Sequence, residues 1–327
     1  MALTDPAALY RDAILHNYGL GAFNTFSIES VLAVLEGAQA QESPVILQVS
    51  MGARTYVKHL KTYVDMMKRF AGEYQIPVFI QHDHCSTIEA SMEAINAGVQ
   101  AVMFDGSHLS YEQNVESTKQ VVQYAHDKNV WVEAELGCLP GFEDLVFAES
   151  AVYTDPDQAQ EFIEKTGCDA LAVAVGTSHG GVKAKSYLNL DFKRLEEIVK
   201  RRPDYPYVLH GAASLPPELV ENCNQQGGKV EFLRNCSEVS IAKAVKMGIR
   251  KVNMDVDNFL ACTAQVRKFL NQKPHIYDPR KYLLEGRNGF QKEVEHKLKN
   301  VTDSAGRCKK TAGKGYYDSD TMPESGY

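Results

Sequence analysis

"IPVFIQHDHCS", residues 76–86, starts as an apolar run and ends in two histidines flanking an aspartate. The run is apolar on both faces of an extended chain, so it must be covered on both faces. That is the habit of parallel strands wrapped in helices. The strand therefore carries His82, Asp83 and His84 to its C-terminal end, and the rest of the chain determines what waits for them there.

Seven other runs share this character: "YGLGAFNTF" (18–26), "PVILQVS" (44–50), "VQAVMFDGS" (99–107), "VWVEAELG" (130–137), "DALAVAVG" (169–176), "YPYVLHGA" (205–212) and "IRKVNMDVD" (249–257). Between them lie segments of helical spacing such as "STIEASMEAINAG" and "DPDQAQEFIEKTG". Several open on Ser, Asp or Asn and close on Gly, which are helix start and stop signals. Eight βα units predict an α/β fold, the (β/α)8 TIM barrel. An open doubly wound sheet is the structural alternative, because periodicity does not report closure. Residues 1–16 read as a helix able to plug the barrel bottom, and 274–300 as one or two helices after the eighth unit. No domain boundary interrupts 1–303, and the polar, Gly-rich 304–327 reads as a mobile tail.

A formal net charge of −7 argues against wholesale binding to nucleic acid or an acidic membrane, both of which need a positive surface. An anionic substrate would need a locally positive pocket. The seven cysteines are scattered singly, without a CxxC pair, and no secretory leader is evident, which fits a reducing cytoplasm and small buried thiols. No apolar stretch reaches the roughly 18 residues of a membrane span.

In a βα barrel the loops and strand ends meet at the C-terminal face. The polar residues there are His82, Asp83, His84, Asp105, Ser107, Glu133, Glu135, His179, Lys183, His210, Asn253, Asp255 and Asp257. Histidines from three strand ends, His84, His179 and His210, form a catalytic metal set, since three protein ligands with an open fourth position suit Zn²⁺ chemistry. His82, two residues back, is expected on the same strand face as His84 but about 6.5 Å deeper, in a packing or supporting role. "GTSHGGVK" offers glycine amides and an ammonium to an anion. "ELGCLPGFEDL" (135–145) reads as a mobile loop able to deliver a carboxylate.

These motifs resemble the class II, metal-dependent fructose-bisphosphate aldolase family. "SPVILQVSMGAR", "HDHCST", "VMFDGSHLSYEQNV", "VEAELG", "GTSHG", "VLHGA" and "KVNMDVD" occur in the family's order across nearly the whole chain. The resemblance implies a zinc-dependent lyase cleaving a ketose phosphate, fructose 1,6-bisphosphate or a related sugar phosphate, to dihydroxyacetone phosphate and an aldehyde. It implies Zn²⁺ on His84, His179 and His210, replaceable by Co²⁺ or Fe²⁺, with Asp105 and Glu135 close to the metal and a monovalent cation nearby. Asp83 would be the acid/base at the reacting hydroxyl, Glu143 would exchange the carbon-bound proton, and Asn253 would bind the enediolate. Gly180, Lys183, Gly211 and Asp255 would line the triose phosphate, and Ser50, Asp278 and Arg280 the distal phosphate. A homodimer or homotetramer acting on a small sugar phosphate in the cytoplasm is implied as well.

The chain departs from that pattern at four places. Ala213 and Val256 stand where hydroxyl residues are usual, Phe259 where the closest subgroup has arginine, and Cys85 where glycine follows the metal-binding histidine. Each lost hydroxyl would cost about 1.5–3 kcal/mol of phosphate binding, and the lost arginine a bidentate clamp. The expected substrate is therefore a ketose phosphate with a less demanding anion site. Two rival readings are a metal-dependent TIM-barrel hydrolase, suggested by "HDH", and an aldolase-like barrel kept as a binding or scaffold protein.

Overall fold

The computed structural model describes residues 3–139, 141–143, 146–148, 151–178, 188–231 and 235–308, with backbone alone for 141–143 and 146–148. All eight expected strands form: β1 (Leu20–Asn24), β2 (Val45–Val49), β3 (Val78–Cys85), β4 (Ala101–Phe104), β5 (Trp131–Leu136), β8 (Ala170–Val173), β9 (Tyr207–Leu209) and β10 (Ile249–Met254). They close into a parallel barrel in the order β1-β10-β9-β8-β5-β4-β3-β2, which rules out the open sheet. β6 (Gly141–Glu143) and β7 (Val146–Ala148) form an antiparallel hairpin beyond β5; β6 lies inside 135–145, the segment expected to be a mobile loop, and β7 just after it.

Helices start where the polar residues at strand exits can cap them. Ser27 and Ser30 form a reciprocal capping box on the helix Ile28–Ala40. Thr87 accepts from the Ala90 amide to open Ile88–Ala97, and Gly98 closes that helix in the left-handed region at φ 94°. Each cap turns the chain back along the barrel wall, so the strand ends stay clustered at one face.

The barrel interior is layered. At the bottom Leu20, Ile46, Phe79 and Ala101 meet Leu9, Tyr10 and Ala13 of the N-terminal helix Pro6–His16. The Tyr10 ring stacks on Trp131 with centroids 5.2 Å apart, so the helix does plug the barrel. The next layer is ionic. Lys251 Nζ donates to both Glu133 oxygens at 2.9 and 2.7 Å, and Gln81 Nε2 donates to Glu133 Oε2 at 2.9 Å, all fully buried. Burial alone would raise the Glu133 pKa, but the Lys251 ammonium, and then His210, hold it down at about 2.

A second buried ammonium ties the C-terminal helix Pro279–Asn300 to the loop after β9. Lys297 Nζ donates to Asp257 Oδ2 and Glu238 Oε1, each at 2.6 Å, and to Ser214 Oγ at 2.7 Å. Asp257 in turn accepts from the amides of Ser214 and Leu215 at 2.9 and 2.8 Å. Against its partial burial, Glu238 is held down to about 2 by His296 and Lys297.

The chain stays packed beyond Ser304, where the tail was expected to begin. The Ser304 hydroxyl accepts from Ser43 at 2.8 Å, while the amides of Gly306 and Cys308 donate to the carbonyls of Gln41 and Glu42 at 2.8 and 3.0 Å. Small hydroxyls and backbone amides answering a neighbouring loop dock this segment without aliphatic side chains. Residues 309–327, the remainder of that expected tail, lie outside the described residues. Among the described residues, no helix is long and apolar enough to cross a membrane.

Removing Lys251 leaves Glu133 charged and buried, so Lys251→Met should lose about 3–5 kcal/mol of unfolding free energy in urea titrations. The double change with Glu133→Gln should recover part of that loss; strict additivity would contradict the pairing. Glu238 has a folded pKa below its unfolded value of about 4.3, so its stabilisation is present above that value and is lost as pH falls toward 2. Wild type and Glu238→Gln should therefore differ most in unfolding free energy near pH 6 and converge in acid.

Candidate active site

A regular strand sends neighbouring side chains to opposite faces. In β3 this puts Gln81 and Asp83 inside the barrel and His82 against the surrounding helices. His82 Nδ1 lies 3.2 Å from Cys85 Sγ there, and burial followed by the charge of Arg54 pushes its pKa down to about 4. His84 ought to follow His82 outward. It does not, because its φ is +47° and the β3/β4 register slips between His82 and Cys85. This bulge turns His84 to the side of Asp83, so the two histidines do not share a face as expected. Cys85 goes into the core.

Asp83 is fully buried and held by three neutral amides. Asn24 Nδ2 donates to Oδ2 at 3.1 Å, Gln48 Nε2 to Oδ1 at 3.0 Å, and Asn253 Nδ2 to both oxygens at 3.0 and 3.1 Å. These donors sit on β1, β2 and β10. Among the described residues, the carboxylate is oriented by amide dipoles and no Lys or Arg pairs with it.

Opposite it, His210 faces two carboxylates. Nε2 donates to Glu133 Oε1 at 2.7 Å, and Nδ1 lies 3.3 Å from Glu135 Oε2. Burial favours the neutral ring, yet Glu133 and Glu135 outweigh it and push the His210 pKa up to about 9. His84 Nδ1 is 3.1 Å from Asp105 Oδ2, and its ring meets that of His210 with centroids 4.6 Å apart. Although burial works the other way, His84 and then Ser107 hold Asp105 well below the usual carboxylate range.

The donor set fits a divalent cation. Ligand atoms of Asp83, His84 and His210 lie within 4.8 Å of one another, as do those of His84, Asp105 and Glu135. Glu135 Oε2 and His210 Nδ1 face each other at 3.3 Å and, among the described residues, neither makes a well-formed hydrogen bond, a cost that a cation between them would remove. With Nε2 given to Glu133, Nδ1 is the ring nitrogen left facing Glu135, and a cation there would displace the proton that the two carboxylates otherwise hold on the ring.

His179, Gly180 and Lys183 lie outside the described residues, as does the side chain of Glu143, whose backbone ends β6. The approach to His179 is pinned, since Asn235 Oδ1 accepts from the Ser178 amide at 3.2 Å. Gly211 sits at φ 59°, and a Cβ there would fall 2.7 Å from the Ser178 carbonyl oxygen, so only glycine lets the two loops approach. Ser50 and Asp255 cap the helices Met51–Val57 and Val256–Gln272 at the ends of β2 and β10. Asp278 and Arg280 pair with each other at 2.9 Å, with the Arg280 side chain 89% exposed. Among the described residues, neither bonds to another predicted site residue.

The supporting layer was underread in the sequence. Lys251, Gln81, Asn24 and Gln48 had drawn no notice, and Glu133 had been given no role. The signal was present as polar residues set into apolar runs: Gln81 in "FIQHDH", Asn24 in "GAFNTF", Gln48 in "VILQVS", Lys251 in "IRKVNM" and Glu133 in "VWVEAELG".

The model of the family "Fructose-bisphosphate aldolase class-II" matches residues 4–307. The fructose-bisphosphate aldolase of Thermus caldophilus is 42% identical over 302 residues, spanning 92% of this chain and 98% of that protein. That of Treponema pallidum is 39% identical, spanning 94% and 98%. Among solved structures, the YdjI aldolase of Escherichia coli K12 superposes with a TM-score of 0.75 at 28% identity, covering 94% of this chain and 99% of that one. A match along almost the full length, by a closed barrel whose strand ends gather acid and imidazole groups, leaves one conclusion: the chain belongs to the class II fructose-bisphosphate aldolases, which are metal-dependent lyases.

Proposed function

We propose that this aldolase cleaves a ketose phosphate to dihydroxyacetone phosphate and an aldehyde, with zinc held by His84, His179 and His210 and with Co²⁺ or Fe²⁺ as possible substitutes. The observation that carries the reading is the meeting of Asp83, His84 and His210 within 4.8 Å. Asp105 and Glu135 stand beside that set, and a monovalent cation belongs to the phosphate side.

The bound cation supplies an electrophile for the carbonyl oxygen on which negative charge grows as the carbon–carbon bond breaks. The remaining work falls to the chain. Asp83, fixed by Asn24, Gln48 and Asn253, takes the proton of the hydroxyl that becomes the aldehyde carbonyl and returns it in the condensation direction. Asn253, anchored through Asp83, lies beside the developing enediolate. Glu143, on the β6–β7 hairpin, exchanges the carbon-bound proton of the triose. Glu133 keeps the His210 ring oriented, while Lys251 keeps Glu133 ionised.

Gly180, Lys183, Gly211 and Asp255 receive the triose phosphate. Ala213 joins an apolar cluster with Leu215 and Leu260, against which Val256 packs. Ser214 does not replace the missing hydroxyls, because its own donates to Asp257 at 2.7 Å. This supports weaker phosphate binding and a substrate other than fructose 1,6-bisphosphate. Ser50 stands toward the distal end of the substrate. Asp278 and Arg280, remote in one chain, reach a site only within a homodimer or homotetramer. A cytoplasmic location accords with the lone thiols. The hydrolase and scaffold readings have less support, since "HDH" lies on the third barrel strand and the acid/base and imidazole groups are all retained.

Chelator treatment should abolish release of dihydroxyacetone phosphate from ketose phosphates, and Zn²⁺ should restore it; undiminished cleavage by metal-free protein would refute the reading. His210→Ala should lose both bound metal and turnover. Asp83→Ala should keep the metal while kcat falls about 10²- to 10⁴-fold, and full activity of that variant would remove Asp83 as the proton carrier.

A further inference from the structure

Three adjacent barrel strands, β10, β1 and β2, each lead into a segment carrying one aromatic ring. Phe26 follows β1, Tyr56 lies on the short helix after β2, and Phe259 sits one turn beyond Asp255 on the helix after β10. The rings run in sequence. Phe259 meets Phe26 edge-on with centroids 5.4 Å apart, and Phe26 meets Tyr56 in the same way at 6.0 Å. Phe259 also rests on the buried Phe290 at 6.2 Å, which anchors the row to the core. Tyr56, at the outer end, is 70% exposed. A tyrosine left that open at a barrel mouth adds little to the core.

The placement matters because the same strands carry Asn24 and Asn253, whose amides hold Asp83. Phe26 follows Asn24 by two residues and Phe259 follows Asn253 by six, so the row starts from the same strand ends that hold Asp83. Arg54, on the helix of Tyr56, pairs with Glu93, and Arg280, which only an oligomer would bring close, would arrive paired with Asp278. A phosphate set against this row would lose its water without gaining a charged donor, whereas carbon-bound hydrogens of a sugar chain pack well on ring faces.

Resting on the aldol reading above, we propose that Phe26, Tyr56 and Phe259 form an aromatic platform for the aldehyde-derived half of the substrate, so that the enzyme takes ketose 1-phosphates whose distal end is uncharged. The test is condensation of dihydroxyacetone phosphate with a set of acceptor aldehydes. Wild type should favour D-glyceraldehyde over D-glyceraldehyde 3-phosphate by about tenfold or more in kcat/KM, the worth of one missing charged hydrogen-bonding partner. Phe259→Arg should shift that ratio toward the phosphorylated aldehyde by a similar factor. If the arginine disturbs folding, Tyr56→Ala carries the test: kcat/KM for uncharged four-carbon aldehydes should fall about 3- to 10-fold, with a smaller change for glycolaldehyde. Preference for glyceraldehyde 3-phosphate by wild type, or indifference to Tyr56→Ala, would overturn the platform. Exchange of the dihydroxyacetone phosphate proton with solvent separates the two claims. Exchange accompanied by the wrong aldehyde preference overturns the platform alone; neither exchange nor condensation overturns the aldol reading and the platform with it.

Discussion

Neighbours in a strand face opposite ways, and Asp83 and His84 are neighbours. The positive φ of His84 and the slip in register beside it put both on one side. A non-glycine residue in the left-handed region carries a strain of order 1–3 kcal/mol, tolerated only where the surroundings over-determine it. Here the surroundings do so: Asp105 holds the His84 ring, the amide of Asp105 bonds to the Cys85 carbonyl at 2.9 Å, and Cys85 packs in the core. From that single kink follows the juxtaposition of a buried carboxylate with an imidazole.

Two kinds of electrostatic environment then divide the labour. Glu133 is paired with the ammonium of Lys251, so it stays ionised and can fix His210. Asp83 accepts from the amides of Asn24, Gln48 and Asn253, which orient it without bringing a formal charge. The barrel supplies both environments one layer apart because inward residues recur every second position along each strand.

Much of the fold was legible from residues alone. Eight doubly apolar runs with caps between them permit few architectures, and all eight became strands. Closure was not legible, because it depends on β1 meeting β10 at a sequence separation that no local pattern reports. The β6–β7 hairpin was missed since its strands are three residues each, too short to show an alternation. The packed segment 304–308 was missed since it docks through hydroxyls and backbone. In the site, residue types at strand ends pointed to His84, His210, Asp83, Asp105 and Glu135, which do meet. The facing of His82 was misjudged because a bulge leaves no compositional trace. Lys251 and Glu133 went without a role because strand reading rewards apolar residues and passes over isolated polar ones.

X-ray absorption at the metal edge of the active protein bears most directly on the central claim, that imidazoles from separate strands hold the cation on which cleavage depends. The account predicts a first shell of nitrogen and oxygen at about 2.0–2.1 Å with imidazole scattering, and loss of an imidazole contribution in His210→Ala. A shell of cysteine sulfur at about 2.3 Å, or a shell untouched by that substitution, would contradict it.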